Sequence, residues 1–249
     1  MGQISIDPPQ LPANRIIAHR GASAFAPENT FAALRAAARL GATWVEVDVK
    51  LTSDGVAILH HDAVLGRTAD GSGAVADTPW DRIRQLDAGS WFTPGFAGEP
   101  VPRLDDALRL CCGLGLSMNL EIKPCPGREA ETTAELIRVV RQTWPDNGGR
   151  LLLSSFQLES LEEAQRIGPE LPRALLIREP RDGWLEDAER LGCWSLNVNH
   201  KFIHTAEMLG DIKTKGFRVL GYTVNDCAMA TRLLADGMDA VISDNPLVF

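Results

Sequence analysis

Glu46 and Asp48 stand two positions apart in the run Trp44-Val-Glu-Val-Asp-Val-Lys-Leu51, whose β-branched residues mark it as a strand. Residues two apart in a strand share a face, so both carboxylates project to one side. Two such charges are unfavourable together unless a cation neutralises them, and a hard divalent ion does so with oxygen ligands. Val45, Val47 and Val49 fill the other face, which suits a parallel barrel strand better than a surface edge. Residues 116–123 repeat the pattern. Glu121 and Lys123 share a face there and add a third carboxylate and a cation. Three inward acids on two strands, with His19 and Arg20 ending a third, favour a reaction centre over a structural ion pair.

Imidazole titrates near neutral pH, so two histidines at one mouth would make an acid–base pair. His19 closes the extended run 15–19, and His60-His61-Asp62 closes another at 55–59. His61 is the better partner for His19, because Asp62 is placed to fix its tautomer and strand alternation turns His60 away. Two other strings are set aside. Gly71-Ser-Gly73-Ala-Val-Ala76 fits a relaxed dinucleotide pattern, but no strand leads into it. His200 and His204 have the spacing of a zinc helix, but Lys201 stands where a metalloprotease needs glutamate.

The elements that must hold these groups alternate regularly. Strands are expected at 15–19, 44–51, 116–122, 151–154, 173–177, 194–198, 218–223 and 240–243. Helices are expected at 30–40, 129–143, 158–167, 184–191, 205–215 and 226–235. Alternation of this kind predicts a parallel sheet, and about eight strands predict a TIM-type (β/α)₈ barrel with its chemistry at the strands' C-terminal ends. One stretch between His61 and Arg103 breaks the rhythm, rich in Gly, Pro, Asp and Trp. It reads as a small insertion over the mouth, at about 63–102, within a single barrel domain spanning 1–249. Trp80, Trp91, Phe92 and Phe96 give it apolar surface enough to fold, and Trp91 and Phe92 are candidates for the substrate pocket.

Composition bounds the partners. Hydrophobic residues make up 45% of the chain, and a net charge of −8 argues against a nucleic-acid surface. The acidity does not exclude a phosphate substrate, since a bound cation reverses the local field. No apolar stretch is long enough to span a bilayer, and the first residues lack a secretory pattern, so stable membrane anchoring is not expected. Five cysteines, odd in number and without C-x-x-C spacing, suit a reducing cytoplasm. Oligomeric state leaves no mark in these patterns.

Taken in order, His19-Arg-Gly, Pro27-Glu-Asn-Thr30, Glu46-x-Asp48, His61-Asp62 and Glu121-Ile-Lys123 resemble the glycerophosphodiester phosphodiesterases. So do Arg67-Thr68, the run 86–92, Gly98-Glu-Pro100, the run 153–156 and Tyr222-Thr-Val-Asn225, from about Ile16 to Pro246. The likeness is greatest to bacterial cytoplasmic members associated with glycerol-3-phosphate uptake. The resemblance implies a TIM barrel with an insertion after His-Asp. It implies that Glu46, Asp48 and Glu121 bind one divalent cation (Mg²⁺, Ca²⁺ or Mn²⁺), that His19 and His61 are the acid–base pair, and that Arg20 and Lys123 hold the phosphate. Phe156 and Tyr222, from two of the shared strings, join the candidates for the substrate pocket. The substrate would be a small glycerophosphodiester, split to sn-glycerol 3-phosphate and an alcohol. A lyase-like phospholipase, a phosphate-binding barrel without catalysis and a sugar-phosphate isomerase are the rivals. The first wants a membrane-docking stretch, the second the loss of a histidine or carboxylate, and the third no three-carboxylate cluster.

Overall fold

The structure, a computed structural model, describes residues 9–146, 148–203 and 205–248. Most of the segment read above for a leader, and His204 of the discounted zinc pair, lie outside them. The chain runs β1 (Ile16–His19), α1 (Phe31–Arg39), β2 (Trp44–Leu51), β3 (Ala57–Leu59), α2 (Trp80–Ile83) and α3 (Leu104–Gly113). It continues β4 (Ser117–Ile122), α4 (Glu129–Thr143), β5 (Leu151–Ser155), α5 (Leu158–Ile167), β6 (Arg173–Ile177) and α6 (Trp184–Arg190). It ends β7 (Ser195–Asn199), α7 (Ala206–Thr214), β8 (Arg218–Tyr222), α8 (Cys227–Ala235) and β9 (Ala240–Ser243).

Eight of these strands pair in parallel, and β1 pairs with both β9 and β2, so the sheet closes on itself into a TIM-type barrel. The short β3 is the exception, folding back antiparallel on β2 with Val49 opposite Leu59. Alternation sorts the side chains. Val45, Val47 and Val49 face outward and join Leu34, Leu104 and Leu108 in the layer between strands and helices. Ile17, Trp44, Leu152, Ala174, Leu220 and Ile242 fill the barrel's lower interior. The inward positions above them are left for polar groups.

Most expected elements fall within a residue or two of their observed bounds, and the differences have physical reasons. Arg15 drops out of β1 because its φ of 58° is left-handed, a conformation no strand continues through. Thr30, Thr205 and Asp226, taken as first helical residues, are N-caps in extended conformation whose side chains accept from the backbone N–H three residues on. α3 was not expected. Its buried Leu104, Ala107, Leu108 and Cys111 do carry the helical period, but they follow directly on the irregular stretch and share its ambiguity.

Residues after β3 form a small body of their own. Leu65, Ala69, Val75, Ile83, Ala88 and Val101 pack together over Ile58 of β3. Polar contacts tie this body to the mouth of the barrel. Arg67 bonds both Glu28 and Asp62, and Glu99 Oε1 accepts from Ala32 N at 2.8 Å.

Candidate active site

β2 and β4 lie side by side with Glu46 opposite Asn119 and Asp48 opposite Glu121. The register stacks the three acids in one inward cluster. One oxygen from each lies within 4.8 Å of the others, and all three residues are buried. Two cations flank them. Lys123 Nζ lies 2.6 Å from Glu121 Oε1 and 3.4 Å from Asp48 Oδ1, while Arg20 Nε lies 3.1 Å from Asp48 Oδ2.

The three carboxyls titrate unequally. Burial, and after it the charge on Asp48, raises both Glu46 and Glu121 above the usual carboxylate range. Burial pushes Asp48 the same way, but Arg20 and then Lys123 overcome it and hold that carboxyl well below the range. Glu46 Oε1 is buried and, among the described residues, has no hydrogen-bond partner. An orphaned carboxylate oxygen beside two further carboxylates is an all-oxygen donor set, and it fits a hard divalent cation.

The loop after β1 delivers Arg20. Arg20 has a φ of 53° and Asn29 one of 57°, and the two are joined by a bond from Asn29 N to Arg20 O. Such conformations cost about 1–3 kcal/mol at non-glycine residues and persist only where the surroundings fix them. Here Arg20 N donates to Glu46 Oε2, and Asn29 both donates to Asp48 Oδ2 and accepts from Asp48 N. Gly21, at φ 79°, lets the turn lie against α1, since a Cβ there would come within 2.7 Å of the Ala33 carbonyl carbon. The loop therefore clamps the carboxylates as much as they clamp it.

Both candidate histidines are held by an aspartate. His19 Nδ1 lies 2.6 Å from Asp244 Oδ1, and His61 Nδ1 lies 2.6 Å from Asp62 Oδ1. An ionised carboxylate only accepts, so each Nδ1 carries a proton and each Nε2 is left for chemistry. Burial opposes protonation of His19, but Asp244 and then Glu46 outweigh it and raise its pKa. Burial lowers that of His61, with Arg20 and Lys123 adding to the effect against Asp48. His60 turns the other way and is buried, its Nε2 3.4 Å from Val64 O.

His19, Arg20, Glu46, His61, Glu121 and Lys123 line one cavity of about 350 Å³, whose far wall holds Phe156, Arg178 and Tyr222. His19 and Arg20 also border a second cavity of about 460 Å³ with Ser23, Glu28, Asn225 and Asp244. Asp48 sits behind Arg20 and Lys123, against the first. Trp91 and Phe92 line neither. They meet edge to face at 5.6 Å, Phe92 meets Phe96 in the same way, and Trp91 Nε1 donates to Ala88 O. Their contacts are thus internal to the inserted body.

Several residues around the site escaped the sequence reading. Asp244 directly follows β9 and receives Ser23 Oγ and Asn225 Nδ2 as well as His19. Its only signal was an acid at a strand's C-terminal end, where barrel chemistry collects. Glu28 bridges Arg20 and Arg67 from within the Pro-Glu-Asn-Thr string, where it had no assigned part. Asn119 and Ser154 lie buried beside Glu46 and Glu121, their side-chain polar atoms without partners among the described residues.

Comparisons with known proteins bear on the family and the fold. A profile of the Glycerophosphoryl diester phosphodiesterase family matches residues 19–248. A glycerophosphodiester phosphodiesterase of Caldanaerobacter subterraneus subsp. tengcongensis is 34% identical, over 93% of this chain and 94% of its own. One from Bacillus subtilis is 31% identical, over 94% of this chain and 84% of its own. Among solved structures, a phosphodiesterase of Oleispira antarctica in complex with the product sn-glycerol-3-phosphate superposes with a TM-score of 0.91. It is 41% identical, and the match covers 95% of this chain and 94% of that one.

Proposed function

The chain belongs to the glycerophosphoryl diester phosphodiesterase family, and from that premise we propose that it splits small glycerophosphodiesters to sn-glycerol 3-phosphate and an alcohol at the cavity of His19 and His61. The observation that carries this reading is the meeting, at one cavity, of two aspartate-held histidines and two cations with three clustered buried carboxylates, of which Glu46 and Glu121 line the cavity and Asp48 lies behind.

Glu46, Asp48 and Glu121 would hold one divalent ion, Mg²⁺, Ca²⁺ or Mn²⁺, which when bound supplies polarisation of a phosphoryl oxygen. Arg20 and Lys123 bind the phosphate and stabilise the charge that develops on its oxygens, Arg20 as a planar fork and Lys123 as a point charge. One histidine takes the proton of the attacking oxygen at Nε2, and the other gives its proton to the departing alcohol. The attacker is water or the 2-hydroxyl of the glycerol, the latter passing through a cyclic phosphate. Phe156 and Tyr222 supply apolar wall to the substrate.

The same reading takes residues 1–249 as one barrel domain with an insertion at about 63–102. Among the described residues, no helix is long and apolar enough to cross a membrane. The five cysteines are unpaired, which supports a reducing cytoplasm.

The test is release of glycerol 3-phosphate from glycerophosphocholine, glycerophosphoethanolamine and glycerophosphoglycerol, before and after EDTA. Release that stops with EDTA and returns with a hard divalent ion is expected. Undiminished release by metal-free protein would remove the carboxylate cluster from the reaction.

A further inference from the structure

Most charged side chains lining the catalytic cavity are matched by an opposite charge. Arg20 has Glu28 and Asp48, Lys123 has Glu121, His19 has Asp244, and His61 has Asp62. Arg178 is different. It leaves the C-terminal end of β6 and lies exposed on the cavity wall, and among the described residues it has no hydrogen bond or ion pair. Its guanidinium carbon sits 5.6 Å from the centroid of the Phe156 ring, and Lys123 Nζ sits 5.7 Å from the same centroid. The ring itself is held edge-on by Tyr222, whose hydroxyl donates to Ile177 O, next in the chain to Arg178.

The wall thus carries two cations about one aromatic ring. One of them, Lys123, belongs to the phosphate position. Among the described residues, the only carboxylates lining the cavity, Glu46 and Glu121, belong to the cluster that Lys123 already faces. A guanidinium with five donors and no counter-charge, packed on a ring that limits its freedom, is prepared for an anion. An alcohol arm leaving a phosphate held at Lys123 would meet the ring that both cations face.

We propose that Arg178 and Phe156 form a second anion position, which favours diesters whose alcohol arm bears a carboxylate or a phosphate group over those whose arm is cationic. The proposal rests on the function above and adds the charge of the leaving alcohol. No covalent step changes. Arg178 acts only on which diester is held, and a quaternary ammonium in the same arm would meet like charge.

Glycerophosphoserine and glycerophosphoethanolamine differ by one carboxylate, and glycerophosphoglycerol differs from its terminal monophosphate by one phosphate group. The experiment measures kcat/KM for both pairs in the unaltered protein and in R178Q and R178K. A hydrogen-bonded charge pair of this kind shifts such a ratio by about ten- to hundredfold. The anionic member of at least one pair is expected to be preferred by that factor, the carboxylate and phosphate arms separating the two chemistries. The preference should fall toward unity in R178Q, through the KM of the anionic member, and persist in part in R178K. A ratio unchanged in R178Q overturns the proposal. So does an equal fall for all four diesters, which would place Arg178 on the glycerol or the scissile phosphate. Failure of the unaltered protein to hydrolyse any of the four would instead overturn the function itself. Because Arg178 is exposed, circular dichroism of R178Q is expected to match that of the unaltered protein.

Discussion

Asp244 holds His19 from the opposite end of the chain, Oδ1 to Nδ1 at 2.6 Å across a separation of 225 residues. The contact exists because β9 pairs with β1 and sets Ser243 beside Ala18. Burial raises this carboxyl, but His19, and after it Asn225 and Ser23, which donate to it, bring it down to about 2. Asp244→Asn keeps the shape but offers His19 an amide that can impose the wrong tautomer. kcat is expected to fall about 10²–10⁴-fold, the range for a positioned acid–base group, with far-UV circular dichroism unchanged. Wild-type kcat in D244N would show that Asp244 serves the loop and not the ring.

His19→Ala and His61→Ala should each lower kcat by a similar factor of about 10²–10⁴, and the double variant should be little worse than the poorer single one. His60→Ala is a different experiment. His60 is buried with its ring against Val64 O, so its loss is expected to cost about 1–3 kcal/mol of stability in urea unfolding, and little kcat. An H60A protein as inactive as H61A would reverse the choice between neighbours.

The metal-free carboxylate cluster should be pH-sensitive in a definite direction. Burial and then Asp48 raise Glu46 to about 8. A carboxyl whose folded pKa lies above its unfolded value favours the fold while protonated, and that contribution is lost as pH rises through about 8. Ion binding must displace the same proton. The gain in Tm on adding Mg²⁺ or Mn²⁺ is therefore expected to grow between about pH 6 and pH 8, with protons released on binding. A gain that shrinks over that interval would contradict the assignment of Glu46 as a ligand.

Trp91 tests the inserted body. It touches Phe92 and Ala88 and lines neither cavity at the mouth. Trp91→Ala is expected to lower Tm through lost packing worth about 1–3 kcal/mol, while kcat/KM on glycerophosphoethanolamine stays within about threefold. A loss of orders of magnitude in kcat/KM would mean that the insertion reaches the substrate after all.

Local spacing carried a large part of the site. Alternation alone put Glu46 with Asp48, and Glu121 with Lys123, on shared faces, because a strand's period of two is a property of the backbone and needs no tertiary information. The same rule separated His61 from His60. Strand ends were readable for a similar reason, since barrel strands are short β-branched runs followed by helical ones. α3 was legible in principle, from Leu104, Ala107, Leu108 and Cys111, but it was masked by the irregular stretch before it.

The groups that only tertiary structure could supply are those that barrel closure brings in from elsewhere in the chain. Asp244 meets His19 through the last strand pairing, Arg67 reaches Glu28 out of the insertion, and Arg178 shares a ring with Lys123 across β5 and β6. The neighbours of Trp91 and Phe92 came from the same source. Large aromatic residues in a long loop can serve a substrate or a small core with equal ease, and composition does not distinguish the two. In the fold Trp91 meets Phe92 edge to face and Phe92 meets Phe96 in the same way, and the W91A variant is what separates the two roles. A sequence fixes which groups share a strand face, because that geometry repeats every two residues. Which strands become neighbours depends on the closure of the whole sheet, and no local period encodes it.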